Sequence, residues 1–68
     1  MYEYYIKFLE NDMPIEFNSI HHIATMTVSM INGASIINFE DVSVTINLAY
    51  IEKVKINGED YQLQDYIM

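Results

Sequence analysis

The chain lacks cysteine altogether, and this absence limits how so short a protein can be stabilised. Its 68 residues make at most one domain, which we place over residues 1–68. A domain of this size buries only about 60% of its unfolded surface, so its core needs a disulfide, a metal or a second subunit. Because disulfides are excluded, we expect a homodimer or higher homo-oligomer. Missing cysteine also fits a reducing compartment.

Arginine is missing too, and three lysines oppose ten acidic residues, which gives a net charge of −7. Binding to nucleic acid requires clustered lysine and arginine that neutralise phosphates, so direct nucleic-acid binding is disfavoured. An anionic membrane surface is disfavoured for the same reason. The charge instead favours solubility and rapid encounter with a larger protein that carries a basic surface.

Long hydrophobic runs are absent as well. No uninterrupted apolar stretch approaches the length of a transmembrane helix. The N-terminal segment carries Glu3 early and lacks a basic region followed by an apolar core, which argues against a secretory signal. We therefore expect a cytoplasmic protein.

Glycine is scarce, and both glycines follow an asparagine. Asn32-Gly33 and Asn57-Gly58 each predict a two-residue type I′ hairpin turn, because asparagine and glycine both tolerate positive φ. The first turn interrupts the alternating stretch 25–39, around which we expect the chain to be organised. The register of that hairpin predicts a core face made of Met26, Val28, Ile37 and Phe39.

Alternating apolar residues predict the remaining strands. We expect residues 19–24 to be an irregular connector rather than a helical turn, and Asn47 to cap one short helical turn. Further strands are predicted over residues 2–9, 15–17, 42–46, 52–56 and 59–63.

These elements predict an all-β fold with one short helical turn, built as a small antiparallel barrel or a two-layer sandwich of roughly five to seven short strands. The corner before the last hairpin is similar in architecture to small barrels of the SH3 or Sm type, and the likeness implies nothing about function. In that hairpin we expect Lys55 to face Asp60 and Val54 to face Tyr61.

Three pairs of polar residues could suggest site chemistry: His21-His22, Glu40-Asp41 and Glu59-Asp60. Adjacent histidines point to opposite faces of a strand, or diverge by about 100° on a helix, and so share no metal ion easily. We expect them to be surface or half-buried residues, with a pH-sensitive dimer contact as the alternative. The acidic pairs lie at predicted turns, where carboxylates are ordinarily solvated. With no cysteine, no nucleophile elbow and no phosphate loop, we expect no catalysis, cofactor or metal.

Six tyrosines are more than so small a core accommodates, and tyrosine is favoured at protein interfaces. The first hypothesis is therefore a non-enzymatic acidic factor, an inhibitor or regulator that occludes a basic, nucleic-acid-binding type of site on a larger protein. Small inhibitors made by phages and mobile elements share this physical profile. The expected partner-binding residues are Glu3, Glu16, Glu40, Asp41, Glu59, Asp60, Tyr61, Asp65 and Tyr66.

The second hypothesis is a structural or assembly module that forms a homo-oligomer with no inhibitory role. It rests on apolar residues left over on the second face of the central hairpin and at the C-terminus. A continuous acidic surface flanked by tyrosines favours the inhibitor, and evenly scattered acids favour the module. The expected self-association residues are Ile31, Ala34, Ile36 and Ile67.

Overall fold

The computed structural model describes residues 1–62, which form an all-β fold as predicted. Two short 3₁₀ turns, Ile23–Thr25 and Leu48–Tyr50, interrupt the succession of strands. The seven strands are β1 (Tyr2–Phe8), β2 (Ile15–Ser19), β3 (Ser29–Ile31), β4 (Ala34–Phe39), β5 (Val44–Asn47), β6 (Ile51–Ile56) and β7 (Glu59–Tyr61).

The strands form two antiparallel sheets, one of four strands in the order β2-β1-β6-β7 and one of three in the order β3-β4-β5. The sheets do not close into a barrel. Of the two expected architectures, the fold is therefore the two-layer sandwich. Both sheets contribute apolar side chains to a single buried core. That core consists of Tyr4, Ile6, Ile23, Ile37, Phe39, Ile46, Leu48, Val54 and Ile56.

Both Asn-Gly turns form as predicted. The φ angles are 51° and 81° at Asn32-Gly33, and 53° and 81° at Asn57-Gly58. Positive φ at both central positions is the property that defines a type I′ turn. The predicted register is also confirmed, since Ile31 pairs with Ala34 in the first hairpin and Lys55 pairs with Asp60 in the second.

The central hairpin is shorter than predicted. Its first strand, β3, has only three residues, because Thr25, where the strand was predicted to begin, ends the 3₁₀ turn and the Met26 N–H closes that turn by donating to the Ile23 carbonyl at 3.2 Å. Met26 and Val28 still pack against the core, as expected of their face. Each sheet has its own interior strands, which are β1 and β6 in the four-stranded sheet and β4 of the central hairpin in the three-stranded sheet.

Several other boundaries differ from the predictions. Strand β1 ends one residue earlier than predicted, at Phe8, and β6 begins one residue earlier, at Ile51. Residues 19–24 are not wholly irregular, because β2 continues through Ser19 and a 3₁₀ turn begins at Ile23. The strand predicted from Val42 begins at Val44, because Val42 donates its N–H to the Phe39 carbonyl at 3.2 Å within a turn. The next residue, Ser43, has a left-handed φ of 56°, which a regular strand does not accommodate.

Each crossing between the sheets uses a 3₁₀ turn that is capped by the preceding side chain. His22 Nδ1 accepts from the Ala24 N–H at 3.0 Å, and Asn47 Oδ1 accepts from the Ala49 N–H at 3.0 Å. The Asn47 cap was predicted, whereas imidazole capping at His22 was not. The first residue of each turn, Ile23 or Leu48, is buried in the core.

Tyr4 joins the two sheets through its ring and its hydroxyl. The ring stacks on Phe17 of its own sheet at 5.1 Å and meets the edge of Phe39 from the other sheet at 5.0 Å. The hydroxyl donates to the His21 carbonyl at 2.7 Å and accepts from the buried Ile23 N–H at 2.9 Å. Burial raises the pKa of the Tyr4 phenol above its ordinary value.

Replacing Tyr4→Phe should lower the free energy of unfolding by about 1–3 kcal/mol, because the buried Ile23 N–H loses its acceptor. Urea denaturation measures this change. The matched control is Tyr50→Phe at an exposed tyrosine, where a change within about 0.5 kcal/mol is expected. Equal midpoints for the two variants would contradict the assigned role of the hydroxyl.

Candidate protein interface

All three lysines lie together on the outer face of the four-stranded sheet. Lys7 of β1 pairs directly with Lys53 of β6, and Lys55 pairs with Tyr5. Opposed like charges are destabilising, so this cluster requires compensation from nearby carboxylates. The same face carries Glu3, Glu16 and Asp60.

Two carboxylates supply that compensation. The β1–β6 register shifts between Lys7 and Phe8, which leaves Glu52 as an extra residue in β6. Glu52 forms an ion pair with Lys7, and this hydrogen bond raises the pKa of the Lys7 ammonium. Asp60 lies 3.7 Å from Lys53, although the sequence had suggested Lys55 as its partner. The Lys55 ammonium instead lies 5.9 Å from the centre of the Tyr5 ring.

The outer face of the four-stranded sheet is therefore nearly balanced in charge. Elsewhere within residues 1–62 the surface carries carboxylates but no lysine and no arginine. Negative charge is concentrated away from the lysines, which total charge alone does not reveal. The carboxylates outside the lysine face are Glu10, Asp12, Glu40, Asp41 and Glu59.

The turn between β4 and β5 is fastened to the end of β2 by Asp41. Its carboxylate accepts from the Ser19 hydroxyl at 2.9 and 3.0 Å and from the Ile20 N–H at 3.0 Å. Ser19 is itself paired with Tyr2 at the start of β1. These contacts bring Glu40 and Asp41 to the end of the sandwich at which β1 begins.

The β6–β7 hairpin reaches the same end from the other side. His22 contacts the Tyr2 ring at 5.0 Å and the Tyr61 ring at 5.5 Å, both nearly edge to face. Glu59 precedes Tyr61 by two residues in β7 and so points to the same face of the sheet. We call this surface the acidic end. It comprises Tyr2, His22, Glu40, Asp41, Glu59 and Tyr61.

The acidic end contains a pocket of about 190 Å³. Three aromatic and two acidic residues line it, and no lysine is among its lining residues. Its floor includes one core side chain, Ile56. The lining residues are Tyr2, His22, Ile56, Asn57, Glu59, Asp60 and Tyr61.

The structure brings some of the expected partner-binding residues together and separates others. Glu59 and Tyr61 line the pocket of the acidic end, Asp41 reaches this end through Ser19 and Ile20, and Asp60 lies at its boundary with the lysine face. Glu40 is next to Asp41 in sequence but lines a different depression, together with His21 and Asn38. Glu3 and Glu16 line a separate depression on the outer face of the four-stranded sheet, beside Lys55. Asp65 and Tyr66 lie outside the described residues.

Tyr2 and His22 were not among the expected interface residues. Tyr2 is half-buried and packs against the edge of the core. His22 is half-buried and His21 is exposed, as expected for a connector. Nothing in the order of residues indicates that this connector packs beside β7, since that contact depends on the path between the sheets.

The expected self-association residues lie on the opposite layer of the sandwich. Ile31 is 54% exposed in the edge strand β3, and Ala34 and Ile36 are half-buried beside it on the outer face of the three-stranded sheet. Met30 of the same edge strand is 67% exposed. Ile67 lies outside the described residues.

The described residues contain no cluster of three or more histidine or acidic side chains that could hold a metal ion. Among the described serines, the hydroxyl bonded to a carboxylate is that of Ser19, which is buried and donates to Asp41 at the corner described above.

Asp41→Asn should lower the melting temperature at neutral pH by several degrees. Hydrogen bonding from Ile20 and Ser19 lowers the pKa of the Asp41 carboxyl below its ordinary value of 3.8. Its stabilising contribution is present above that value and is lost as the pH falls through the lower, folded-state pKa.

Thermal melts as a function of pH test this assignment, with the adjacent exposed Glu40→Gln as the control of equal charge change. The difference in melting temperature between Asp41→Asn and the parent should become smaller below pH 3.8. If the difference in melting temperature persists in acid, or if Glu40→Gln lowers the melting temperature equally, the corner does not depend on the Asp41 carboxylate.

Along residues 1–62, no helix is both long and apolar enough to cross a membrane. No family model, no curated protein and no solved structure matches the chain. The proposals below therefore rest on the residues and on the geometry described above.

Proposed function

We propose that this protein is a non-enzymatic acidic protein-binding factor that uses its acidic end to occlude a basic site on a larger protein. The site on the partner would be of the type that otherwise binds nucleic acid. The observation that carries the proposal is the segregation of charge. Every lysine lies on one face, and Glu40, Asp41 and Glu59 at the acidic end form no ion pair with a lysine in the described chain.

Segregation matters because surface charges act over a short range. The Debye length is about 8 Å at physiological ionic strength, so Lys7, near the far end of β1, hardly weakens the attraction at the acidic end. Lys53 lies closer and offsets the charge of Asp60, from which it is 3.7 Å away. The lysines are also engaged by Glu52, by Asp60 and by the Tyr5 ring. A basic partner approaching the acidic end therefore meets Glu40, Asp41 and Glu59, which form no ion pair with a lysine in the described part of the chain.

Aromatic and apolar side chains at the acidic end would add buried area to the electrostatic attraction. Tyr2, His22 and Tyr61 are half-buried and Ile20 is 60% exposed. A specific interface covers about 800 Å² on each partner. The accessible surface of this protein is 4780 Å², so such a partner would cover about one-sixth of it.

The double variant Glu40→Gln, Glu59→Gln should lose most binding to a basic partner that the parent retains at low ionic strength. Affinity purification and mass spectrometry at low and high salt measure this. The matched control is Glu10→Gln, Asp12→Asn in the β1–β2 turn, which removes the same charge at exposed residues distant from the acidic end. If the parent retains no basic protein at low salt, the proposal fails.

The second candidate is an assembly module that forms a homo-oligomer, with the acids serving solubility. It is favoured by the exposed apolar side chains of Met30 and Ile31 on the open edge of β3, next to the half-buried Ile36. An unpaired strand edge is a template for pairing with another copy. Size exclusion with light scattering gives the oligomeric state directly, and a strict monomer at micromolar concentration would eliminate this candidate.

Ile36→Lys should convert such an oligomer into a monomer or an aggregation-prone chain, because a buried subunit contact would acquire an unpaired ammonium. The control is Thr45→Lys, since Thr45 lies on the same outer face but is already polar and exposed. A well-folded oligomer that is unchanged by Ile36→Lys would show that this face is not the subunit contact.

A further inference from the structure

We propose that the pocket at the acidic end is a guanidinium site that receives one arginine side chain. The inference deepens the proposed function, on which the source of that arginine depends, but the pocket itself is argued from its own shape and chemistry. Its volume of about 190 Å³ is smaller than the roughly 300 Å³ at which small-molecule sites begin. It therefore suits one side chain rather than a whole metabolite.

The aromatic walls of the pocket favour a flat cation. The His22 ring meets the Tyr2 ring at 88° and the Tyr61 ring at 74°, so neighbouring rings line different walls. Tyrosine rings attract cations electrostatically within about 6 Å of the ring centre. Guanidinium stacks on aromatic rings more readily than ammonium because it is planar and more weakly hydrated.

The charges around the pocket indicate that its ligand is positively charged. Glu59 and Asp60 both line it, and no lysine does. Asp60 is shared with Lys53 at 3.7 Å, which leaves Glu59 as the principal carboxylate for a bound cation. A guanidinium group presents several N–H donors in one plane, so it can bond to a carboxylate while stacking on a ring.

The walls are held in place by the fold before any ligand arrives. Asn57 donates its N–H to the Glu3 carbonyl at 2.8 Å and accepts from the Glu3 N–H at 2.9 Å, which ties the β6–β7 turn to β1. His22 is held by its hydrogen bond from the Ala24 N–H. Such preorganisation reduces the entropy lost on binding.

The depression of about 320 Å³ on the outer face of the four-stranded sheet does not offer the same chemistry. It is lined by Glu3, Tyr5 and Glu16, but also by Lys55, whose ammonium lies 5.9 Å from the Tyr5 ring centre. The protein thus supplies its own cation at that ring, whereas the pocket at the acidic end has none among its lining residues.

The test is an NMR titration of the isotope-labelled protein with N-acetyl-arginine amide, and with N-acetyl-citrulline amide as the uncharged probe of the same shape. Arginine amide should shift the resonances of Tyr2, His22 and Glu59, and citrulline amide should leave them unchanged. Equal shifts from both probes, or shifts confined to residues outside the pocket, would overturn the proposal.

Variants then distinguish binding in the pocket from attraction to the net negative charge of the protein. Glu59→Gln should weaken arginine-amide binding several-fold, whereas Glu10→Gln, which changes the net charge equally, should leave it unchanged. Tyr2→Leu should weaken it by roughly two- to fivefold, as expected for loss of one exposed cation–π contact. Tyr50→Leu at an exposed tyrosine is its control. Equal effects of Glu59→Gln and Glu10→Gln, in variants whose spectra show intact folding, would overturn the assignment.

The outcomes also distinguish this site from the proposed function. Arginine-amide binding without capture of a basic partner would support the pocket and contradict the occluding role. Capture of a basic partner that is equally strong with Glu59→Gln and Tyr2→Leu, together with no arginine-amide shifts, would contradict the pocket and leave the occluding role in place.

Discussion

The position of Tyr4 constrains the rest of this fold. Its ring packs between Phe17 and Phe39 and so joins the two sheets, while its hydroxyl satisfies the His21 carbonyl and the Ile23 N–H. A buried aromatic ring contributes apolar area, and a buried hydroxyl requires partners. Because those partners flank His22, the same residue that joins the sheets also holds His22 where it meets Tyr2.

The distribution of charge follows from which strands become neighbours. Lys7 is far in sequence from Lys53, yet β1 and β6 pair antiparallel and place them opposite each other. The bulge at Glu52 and the diagonal contact from Asp60 offset the resulting repulsion. The three lysines of the chain thus all lie on one face. The resulting end of the sandwich, with acids and aromatic rings but no lysine, is the feature on which the occluding role and the guanidinium site depend.

Much of the fold could be predicted because its signals are local. An Asn-Gly pair tolerates positive φ whatever surrounds it, and a two-residue turn then sets the pairing of Ile31 with Ala34 and of Lys55 with Asp60. Asn47 could be recognised as a cap for similar reasons. The prediction was wrong where a long-range contact overrides local pattern, as at β3, whose start depends on how the connector packs around Ile23.

The sequence by itself determined the all-β class, both hairpin turns, their registers and the excess of acid, because each follows from backbone preferences, period-two alternation or composition. Only the tertiary structure decided that β1 lies between β2 and β6, that Asp41 fastens a corner and that Tyr2, His22 and Glu59 line one pocket. Those residues are separated along the chain. They meet because burial of one shared core folds the two sheets onto each other, which no local pattern encodes.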